Sequence, residues 1–279
     1  MMNKKYLSVF FVLLFVSALY AKKPKTTEST YPKSIVALSP SAAEILFTIG
    51  AGDQVSAVSE FTDYPAEAKS KPVVGGFDGK TLSIETIMSF KPDLVYLTEG
   101  MHNFLISTLE SNGIAYYISK GESIASVENE ILEVGKITGH EKEAKKVVDD
   151  MQKKLDTVAK KAGSPVKVYY EVWNAPYMSV GSTSFIDDVI AKAGGENIFH
   201  ELSDAYPMVS EEAIISREPA VILVPSSTGL AASAVGLRNG WADIPAVKNA
   251  RVYVVDDNVY TRPGPRIADV VFELAELLK

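Results

Sequence analysis

Cysteine is absent from this chain of 279 residues. Its absence excludes disulfide bonds, a cysteine nucleophile, thiolate metal ligation and a lipid-modified N-terminal cysteine. Histidine is scarce as well, with three residues in the whole sequence. No two of them, His102, His140 and His200, have the spacing of a metal-binding pair, so we do not expect a histidine-based zinc or manganese site.

The sequence also lacks a basic stripe and the common motifs of hydrolases and nucleotide-binding enzymes. Its formal net charge is -7, whereas nucleic-acid binding requires clustered Lys and Arg that displace counterions from phosphates. There is no G-x-S-x-G motif, and the stretches "AGGEN" and "VVGGF" lack the spacing of a phosphate-binding loop. We therefore expect neither an enzyme nor a nucleic-acid partner, with a secreted enzyme as a distant alternative.

The N-terminal stretch "MMNKKYLSVFFVLLFVSALYA" has the layout of a secretory signal peptide. Two lysines precede an apolar run that ends near Ala21, and this run is shorter than the ~20 residues that span a bilayer. Residues 1–21 are therefore predicted to be a signal peptide, and the polar residues 22–33 a flexible lead-in. Because cysteine is absent, we expect a periplasmic protein without a lipid anchor.

Short runs rich in Val, Ile and Tyr recur along the chain and are separated by segments of helical period. This alternation is typical of parallel sheets covered by helices on both faces. The predicted strands lie in "SIVAL" from Ser34, "QVSAVS" from Gln54, "DLVYL" from Asp93, "IAYYIS" from Ile114, "VKVYYEVW" from Val166, "AVILV" from Ala220 and "RVYVVD" from Arg251.

Three segments of the first half have counterparts in the second half. "SIETIMSFKPDLVYL" from Ser83 matches "SEEAIISREPAVILV" from Ser210, with a Ser, a Glu and a Pro at equivalent places. "EILFTIGAGD" resembles "DVIAKAGGEN", and "NGIAYYI" resembles "NARVYVV". The order of these units predicts an α/β protein of two similar Rossmann-like lobes with central parallel sheets, at residues 34–139 and 164–279.

A helix is predicted between the lobes, at residues 140–163. It contains strong helix formers and no glycine between His140 and Ala162. A helix of ~20 residues is about 30 Å long. We interpret it as a long, rigid connector, which predicts little movement of the lobes when a ligand binds.

Ligands of open α/β sheets bind outside the carboxyl ends of the strands, so the segments after the strands contain the candidate site. Those segments are rich in aromatic residues, whose flat faces and phenolic tips suit a large, planar, partly polar ligand. Arg262 is either a ligand contact or the partner of a carboxylate such as Asp63. The candidate ligand contacts are Ser41, Phe61, Phe77, Trp173, Tyr177, Tyr206, Tyr260 and Arg262.

The chain resembles the periplasmic substrate-binding proteins of ABC importers, from about Ser34 to its C terminus. It is similar to the helical-backbone class that carries cobalamin, haem and iron–siderophores, and within it most similar to the cobalamin-binding proteins. The resemblance rests on the order and spacing of "LSPSAAEILFTIGAGDQVSAVSEFTDYP", "LSIETIMSFKPDLV", "AGGENIF" and "RPGPRIADV".

The resemblance implies a corrinoid as transported ligand, with no resident cofactor and a monomeric protein. The family's cleft aromatics fall at Phe61, Phe77, Tyr206 and near Tyr177. Haem or a ferric siderophore is the alternative cargo. His102 follows a predicted strand and is either a solvated loop residue or an axial ligand of haem iron or of cobalt.

The resemblance also assigns Glu85 and Glu212 a role in docking. In the family, a glutamate at the tip of each lobe contacts arginines of the importer's two membrane subunits. Each glutamate also lies in the first turn of a predicted helix, just after a serine, where a carboxylate offsets the helix dipole. Capping alone explains either glutamate, whereas a matched pair suits a two-fold docking surface.

Overall fold

The computed structural model describes residues 31–161 and 163–279. The predicted signal peptide and residues 22–30 of the predicted lead-in lie outside the described residues. Residues 31–279 form one compact unit. In the described ranges, no helix combines the length and the apolar character needed to cross a membrane.

The first half of the chain forms a parallel sheet of four strands in the order β2-β1-β3-β4. All four strands were predicted from the sequence. The elements are β1 (Ile35–Ala37), α1 (Pro40–Thr48), β2 (Val55–Val58), α2 (Ile84–Ser89), β3 (Leu94–Thr98), α3 (Ile106–Ser111) and β4 (Ala115–Ser119).

Two long helices follow the first sheet. They are α4 (Ile124–Thr138) and α5 (Glu141–Ala159). Gly139 separates them with a φ of 80°, a left-handed conformation that ends a helix and that glycine adopts without strain. The predicted connector is therefore present as α5, although it ends at Ala159 rather than at residue 163.

The second half of the chain forms another parallel sheet, in the order β10-β9-β5-β8, and a small hairpin of β6 and β7. Its elements are β5 (Val166–Tyr170), β6 (Trp173–Asn174), β7 (Tyr177–Met178), α6 (Phe185–Lys192), β8 (Gly195–Asn197), α7 (Glu211–Arg217), β9 (Val221–Pro225), α8 (Ala232–Val235), α9 (Pro245–Lys248), β10 (Val252–Val255), α10 (Asp257–Tyr260) and α11 (Ile267–Leu277). Numbered along its own half, each sheet has the strand order 2-1-3-4. This shared topology confirms the predicted pair of similar α/β lobes.

The repeat extends to the backbone conformation of its turns. Lys91 and Glu218 occupy equivalent places and have φ values of 46° and 52°. Each precedes a proline, which disfavours a right-handed helical conformation in the preceding residue and so helps to end the helix there. Gly113 and Ala250 are likewise equivalent, with φ values of 68° and 53°. The two halves therefore share conformation at positions where the residue types differ.

Alternating residues of the central strands pack into different cores. Ile35 and Ala37 of β1 belong to one core and Val36 to another. In the second sheet, Tyr170 joins the same core as Ile35, whereas Tyr169 lies in a separate one. The shared core also contains buried residues of α1, α4, α5, α6 and α11. The lobes are therefore joined by continuous apolar packing as well as by a helix.

Three features of the second half differ from the sequence-based prediction, and the first is strand β7, which was not predicted. Strand β8 was not predicted, because its three residues Gly195, Glu196 and Asn197 all have low strand propensity. The run from Val166 to Trp173 was predicted as one strand, but β5 ends at Tyr170 and Trp173 begins the hairpin. The lobe boundaries at residues 139 and 163 stay a prediction.

Candidate functional site

A cavity of about 250 Å³ lies at the carboxyl ends of strands from both sheets. The first lobe contributes residues that follow β1 and β2 and a loop before α2. The second contributes residues that follow β10. We call it the cleft cavity, and its polar and aromatic lining consists of Ser39, Ser41, Phe61 and Phe77 from the first lobe and Asp257, Asn258, Thr261 and Arg262 from the second. Its position agrees with the general location of ligand sites in parallel α/β sheets.

Two serines form the polar part of the first lobe's wall. Ser39 is the N-cap of α1, and its Oγ accepts a hydrogen bond from the N–H of Ala42 at 3.1 Å. The Oγ atoms of Ser39 and Ser41 lie 3.1 Å apart, and both residues are buried. The predicted contact Ser41 is therefore at the cavity, held within a capped helix start.

Phe61 is 75% exposed and has a φ of 62°. A bulky residue in this left-handed conformation is a genuine outlier that costs on the order of 1–3 kcal/mol and persists where the surroundings enforce it. The Phe61 ring therefore does not pack in a core, and the backbone that carries it is strained. Both features favour a ring presented for contact with a ligand.

Arg262 pairs with Asp63, which was one of the two roles that the sequence allowed; the other was a direct ligand contact. Its Nη1 donates to Oδ1 of Asp63 at 2.8 Å, and it lies 3.9 Å from Oε2 of Glu44. Burial alone would raise the pKa of Asp63, but the hydrogen bond and charge of Arg262 outweigh it and lower that pKa. Arg266 binds the same Glu44 at 2.7 Å. The guanidinium of Arg262 is thus committed to carboxylates while it lines the cleft cavity.

The aromatic residues of the second lobe lie outside the lining of the cleft cavity. Trp173 and Tyr206 are each 52% exposed. Burial raises the pKa of Tyr170, and both Asp257 and Tyr206 add to this effect. Trp173 lies on β6, and its Nε1 donates to the carbonyl oxygen of Ala175 at 3.0 Å.

Tyr177 belongs to a polar and aromatic cluster that sequence reasoning did not find. Its ring centroid lies 5.7 Å from that of buried Trp241, and its hydroxyl donates to Glu211 at 3.1 Å. The guanidinium of Arg238 lies 4.6 Å from the Trp241 centroid and pairs with the fully buried Glu171. The signal available in the sequence was a tryptophan and an arginine in the loop "GLRNGWAD".

Tyr260 does not join the site, although it was predicted to do so. It is 3% exposed and packs in the shared core, and its hydroxyl donates to Glu273 at 3.3 Å. Tyr260 is the last residue of α10, and this short helix directs the ring inward. We therefore remove Tyr260 from the candidate ligand contacts.

His102 is buried, so the expectation of a solvated loop residue is wrong. Its Nδ1 accepts the N–H of Thr98 at 2.9 Å, and its Nε2 lies 2.9 Å from the carbonyl oxygen of Phe77. Neither ring nitrogen has a lone pair left for a metal, so we do not retain His102 as an axial ligand. Among residues 31–161 and 163–279, no cluster of acidic and histidine side chains is suited to hold a metal ion.

Glu85 and Glu212 have matching surroundings in the two lobes. Ser83 and Ser210 cap α2 and α7 by accepting N–H groups at 3.2 and 3.1 Å. Both glutamates are exposed. The hydroxyl of Ser83 lowers the pKa of Glu85, while a backbone hydrogen bond and Ser210 lower that of Glu212. Each side chain is therefore a solvent-facing carboxylate at a helix start.

Two curated relatives resemble this chain over almost its whole length. An uncharacterized ABC transporter substrate-binding lipoprotein of Bacillus subtilis, YvrC, is 32% identical over 92% of this chain and 83% of the relative. A vitamin B12-binding protein of Vibrio campbellii is 30% identical over 99% of this chain and 97% of the relative. Both relatives are described as binding proteins rather than as enzymes.

The Bacillus relative corrects the expected location. We predicted a periplasmic protein without a lipid anchor. The relative is described as a lipoprotein, and this finding contradicts that prediction.

Solved structures share the fold. The vitamin B12-binding protein BtuF of Vibrio cholerae superposes with a TM-score of 0.77 at 26% identity, over 88% of this chain and 96% of BtuF. The haem-binding protein BhuT, solved with two haems, gives a TM-score of 0.78 at 22% identity, over 88% of this chain and 99% of BhuT. At that identity, the second comparison shows the fold alone.

The family itself is established by a sequence profile described as periplasmic binding protein, which matches residues 35–259. This range includes both sheets. It also includes the residues of the cleft cavity other than Thr261, Arg262 and Pro263. The two lobes, the cavity at the carboxyl ends of their strands and the relatives agree with this match. The chain belongs to the periplasmic binding protein family.

Proposed function

We propose that this chain is the substrate-binding protein of an ABC importer and captures a corrinoid such as cobalamin in the cleft between its lobes. It delivers this cargo unchanged to the membrane subunits and acts as a carrier rather than as an enzyme. The observation that carries the proposal is the pair of aromatic side chains, Phe61 and Phe77, that line the cleft cavity together with a few polar groups. Relatives named for vitamin B12 binding support it at 28–30% identity.

The physical argument concerns the match between the site and a large macrocycle. Aromatic rings gain both area burial and stacking against a flat, conjugated ligand. Phe61 and Phe77 supply such faces, while Ser41 and Asn258 supply polar groups at the cavity. Trp173 and Tyr206 are exposed on the second lobe and extend the candidate surface for a ligand larger than the cavity itself.

Haem is the second candidate cargo, and one observation favours it. Tyr206 is 52% exposed on the second lobe, and a tyrosine is a known type of haem-iron ligand. The structural similarity to BhuT supports only the fold. A ferric siderophore, which is anionic, is less well supported, because Arg262 at the cavity and Arg238 beside Tyr177 are both paired with carboxylates.

Retained absorbance distinguishes these cargoes. The purified protein is mixed with cyanocobalamin or with hemin, desalted and scanned in the visible range. We expect the cyanocobalamin spectrum to remain with the protein at one equivalent. Retention of hemin alone would replace the corrinoid by haem, and retention of neither would overturn the proposal.

We expect only small lobe movement when cyanocobalamin binds. The shared core and α5 join the lobes, and Arg262 and Arg266 connect residues that lie about 200 positions apart in the chain. Small-angle X-ray scattering should therefore give a radius of gyration that changes by less than about 1 Å, as for preorganised binding proteins. A clear contraction would show that the ion pairs and the core permit closure.

We propose that Glu85 and Glu212 dock the protein to the importer. Replacing both by alanine should leave cyanocobalamin affinity unchanged and lower uptake, since exposed charges at an interface mainly set orientation and association rate. Uptake of labelled cyanocobalamin by cells that depend on this protein is the measurement. The matched control replaces Glu141 and Glu143, two exposed carboxylates in the first turn of α5. Loss of ligand affinity in the Glu85/Glu212 variant would contradict the docking role.

A further inference from the structure

His102 is a fully buried histidine that connects β3 to the loop containing Phe77. Its Nδ1 accepts the N–H of Thr98, so the neutral ring carries its proton on Nε2. Nε2 then donates to the carbonyl oxygen of Phe77 at 2.9 Å. The two hydrogen bonds fix both the tautomer and the orientation of the ring.

The ring of His102 also contacts the ring of Phe77. Their centroids are 5.9 Å apart and their planes are inclined by 85°, an edge-to-face arrangement. The loop itself contains Gly75 and Gly79 with φ values of 135° and 77°. The loop also has a hydrogen bond of its own, from the N–H of Gly76 to Oγ1 of Thr81 at 2.6 Å, and Phe77 is contacted in addition from outside the segment. His102 supplies both a hydrogen bond and a ring contact.

We propose that His102 is a positioning residue for the ligand site, which holds the Phe77 ring at the wall of the cleft cavity. The inference deepens the proposed function and rests on it only for the identity of the ligand. A ring that is already in place loses little conformational freedom on binding, which raises affinity. Without His102, the Phe77 part of the loop would lose a hydrogen bond and a ring contact, and the ligand would have to supply that ordering.

The arrangement makes this role dependent on pH. A second proton would enter at Nδ1, which faces the N–H of Thr98, so protonation breaks that hydrogen bond. Burial lowers the pKa of His102, and the hydrogen bond to Phe77 opposes the shift only in part. The charged side chains on the adjoining segments are Glu60 and Glu99, which are exposed, and Asp78 and Lys80, which pair with each other at 3.2 Å. Asp257 and Arg262 line the same cavity as Phe77.

The lowered pKa determines the direction in which stability changes with pH. A histidine that is harder to protonate in the folded protein stabilises the fold fully above its ordinary value of about 6.5. This contribution is lost as the pH falls below that value and through the lowered folded-state pKa. The Phe77 loop should therefore be well ordered at pH 7.5 and loosened in acid.

Two substitutions separate the functions of the two ring nitrogens. In His102→Gln, the side-chain amide can still donate to the Phe77 carbonyl oxygen, and it does not titrate. In His102→Asn, the shorter amide can accept from Thr98 but does not reach Phe77. The control His200→Gln removes a histidine of the second lobe that pairs with Asp187 at 2.9 Å.

The experiment measures the order of the Phe77 loop and the affinity for the ligand separately, between pH 5 and pH 8. Hydrogen–deuterium exchange of residues 75–82, corrected for intrinsic rates, is followed in the ligand-free protein, and cyanocobalamin affinity is titrated by fluorescence. We expect wild type and His200→Gln to lose loop protection in acid, His102→Gln to keep it, and His102→Asn to lack it throughout. Affinity at pH 7.5 should fall about fivefold in His102→Asn, the loss of one neutral hydrogen bond.

Loop protection that is the same in all four proteins at every pH would overturn the proposal. Equal cyanocobalamin affinity in His102→Asn and wild type would overturn it as well. If cyanocobalamin binds none of the four proteins while loop protection follows the expected pattern, the corrinoid assignment fails and the role of His102 in positioning Phe77 stands. The two inferences are thus distinguishable.

Discussion

Replacing Phe61 and Phe77 together by alanine should weaken cyanocobalamin binding by about a hundredfold or more. Each ring would bury on the order of 100 Å² against the ligand, which is worth about 2.5 kcal/mol at ~25 cal/mol per Å². A loss of 1.4 kcal/mol is about tenfold in affinity, and the two losses need not add fully. Fluorescence titration of wild type and of the double variant with cyanocobalamin measures the ratio of their dissociation constants.

The stability of the ligand-free protein should hardly change in Phe61→Ala, because this ring is 75% exposed. Phe61→Gly should even raise the free energy of unfolding by about 1 kcal/mol, since glycine accepts the φ of 62° without strain. A residue that is unfavourable for folding and favourable for binding is expected at a functional site. A Phe61→Gly variant that is less stable than wild type would contradict this interpretation.

The control for the double variant is Phe272→Ala. Phe272 lies on α11, is 39% exposed and does not line the cleft cavity. It should bind cyanocobalamin as tightly as wild type does. Similar losses in Phe272→Ala and in the double variant would indicate a general effect on the fold and would count against the assigned site.

The fold was predictable because its signals are local and repeated. Each predicted strand is a short run of β-branched and aromatic residues, and the matched Ser–Glu–Pro units fixed the correspondence between the halves. The exceptions are β7 and β8, which were not predicted; the three residues of β8 form a strand because β5 pairs with them. The sequence of three residues contains no indication that a distant strand will pair with them.

The candidate site was predictable only in part, because contacts between distant residues decide which side chains face the cavity. Phe61 follows the end of β2 and Phe77 lies on a glycine-flanked loop before α2, and the structure places both at the cavity. The sequence left Arg262 undecided because Asp63 is 199 positions away. Tyr260 and His102 look like loop residues in the sequence, yet one lies in a core and the other behind Phe77.

Replacing Arg238 by methionine should destabilise the protein by about 3–5 kcal/mol, the usual effect of leaving one partner of a buried ion pair alone. Glu171 is fully buried, and the side chain of Arg238 is 13% exposed. Nη2 of Arg238 donates to Oε1 of Glu171 at 2.8 Å, and Nη1 binds the other carboxylate oxygen. The substitution removes every one of these donors, so an uncompensated carboxylate would stay in the core. Urea denaturation followed by circular dichroism gives the free energy of unfolding.

A second variant shows whether the unpaired charge causes the loss. Combining Arg238→Met with Glu171→Gln removes the charge, so most of the lost stability should return. The surface control is Lys248→Met. Lys248 pairs with Asp243 at 2.9 Å, and the Asp243 side chain is 89% exposed. This substitution should lower the free energy of unfolding by less than about 1 kcal/mol. An Arg238→Met variant no less stable than this control would mean that water reaches Glu171. The cluster beside Tyr177 would then be open to solvent, and Tyr177 would be free to reorient towards a ligand.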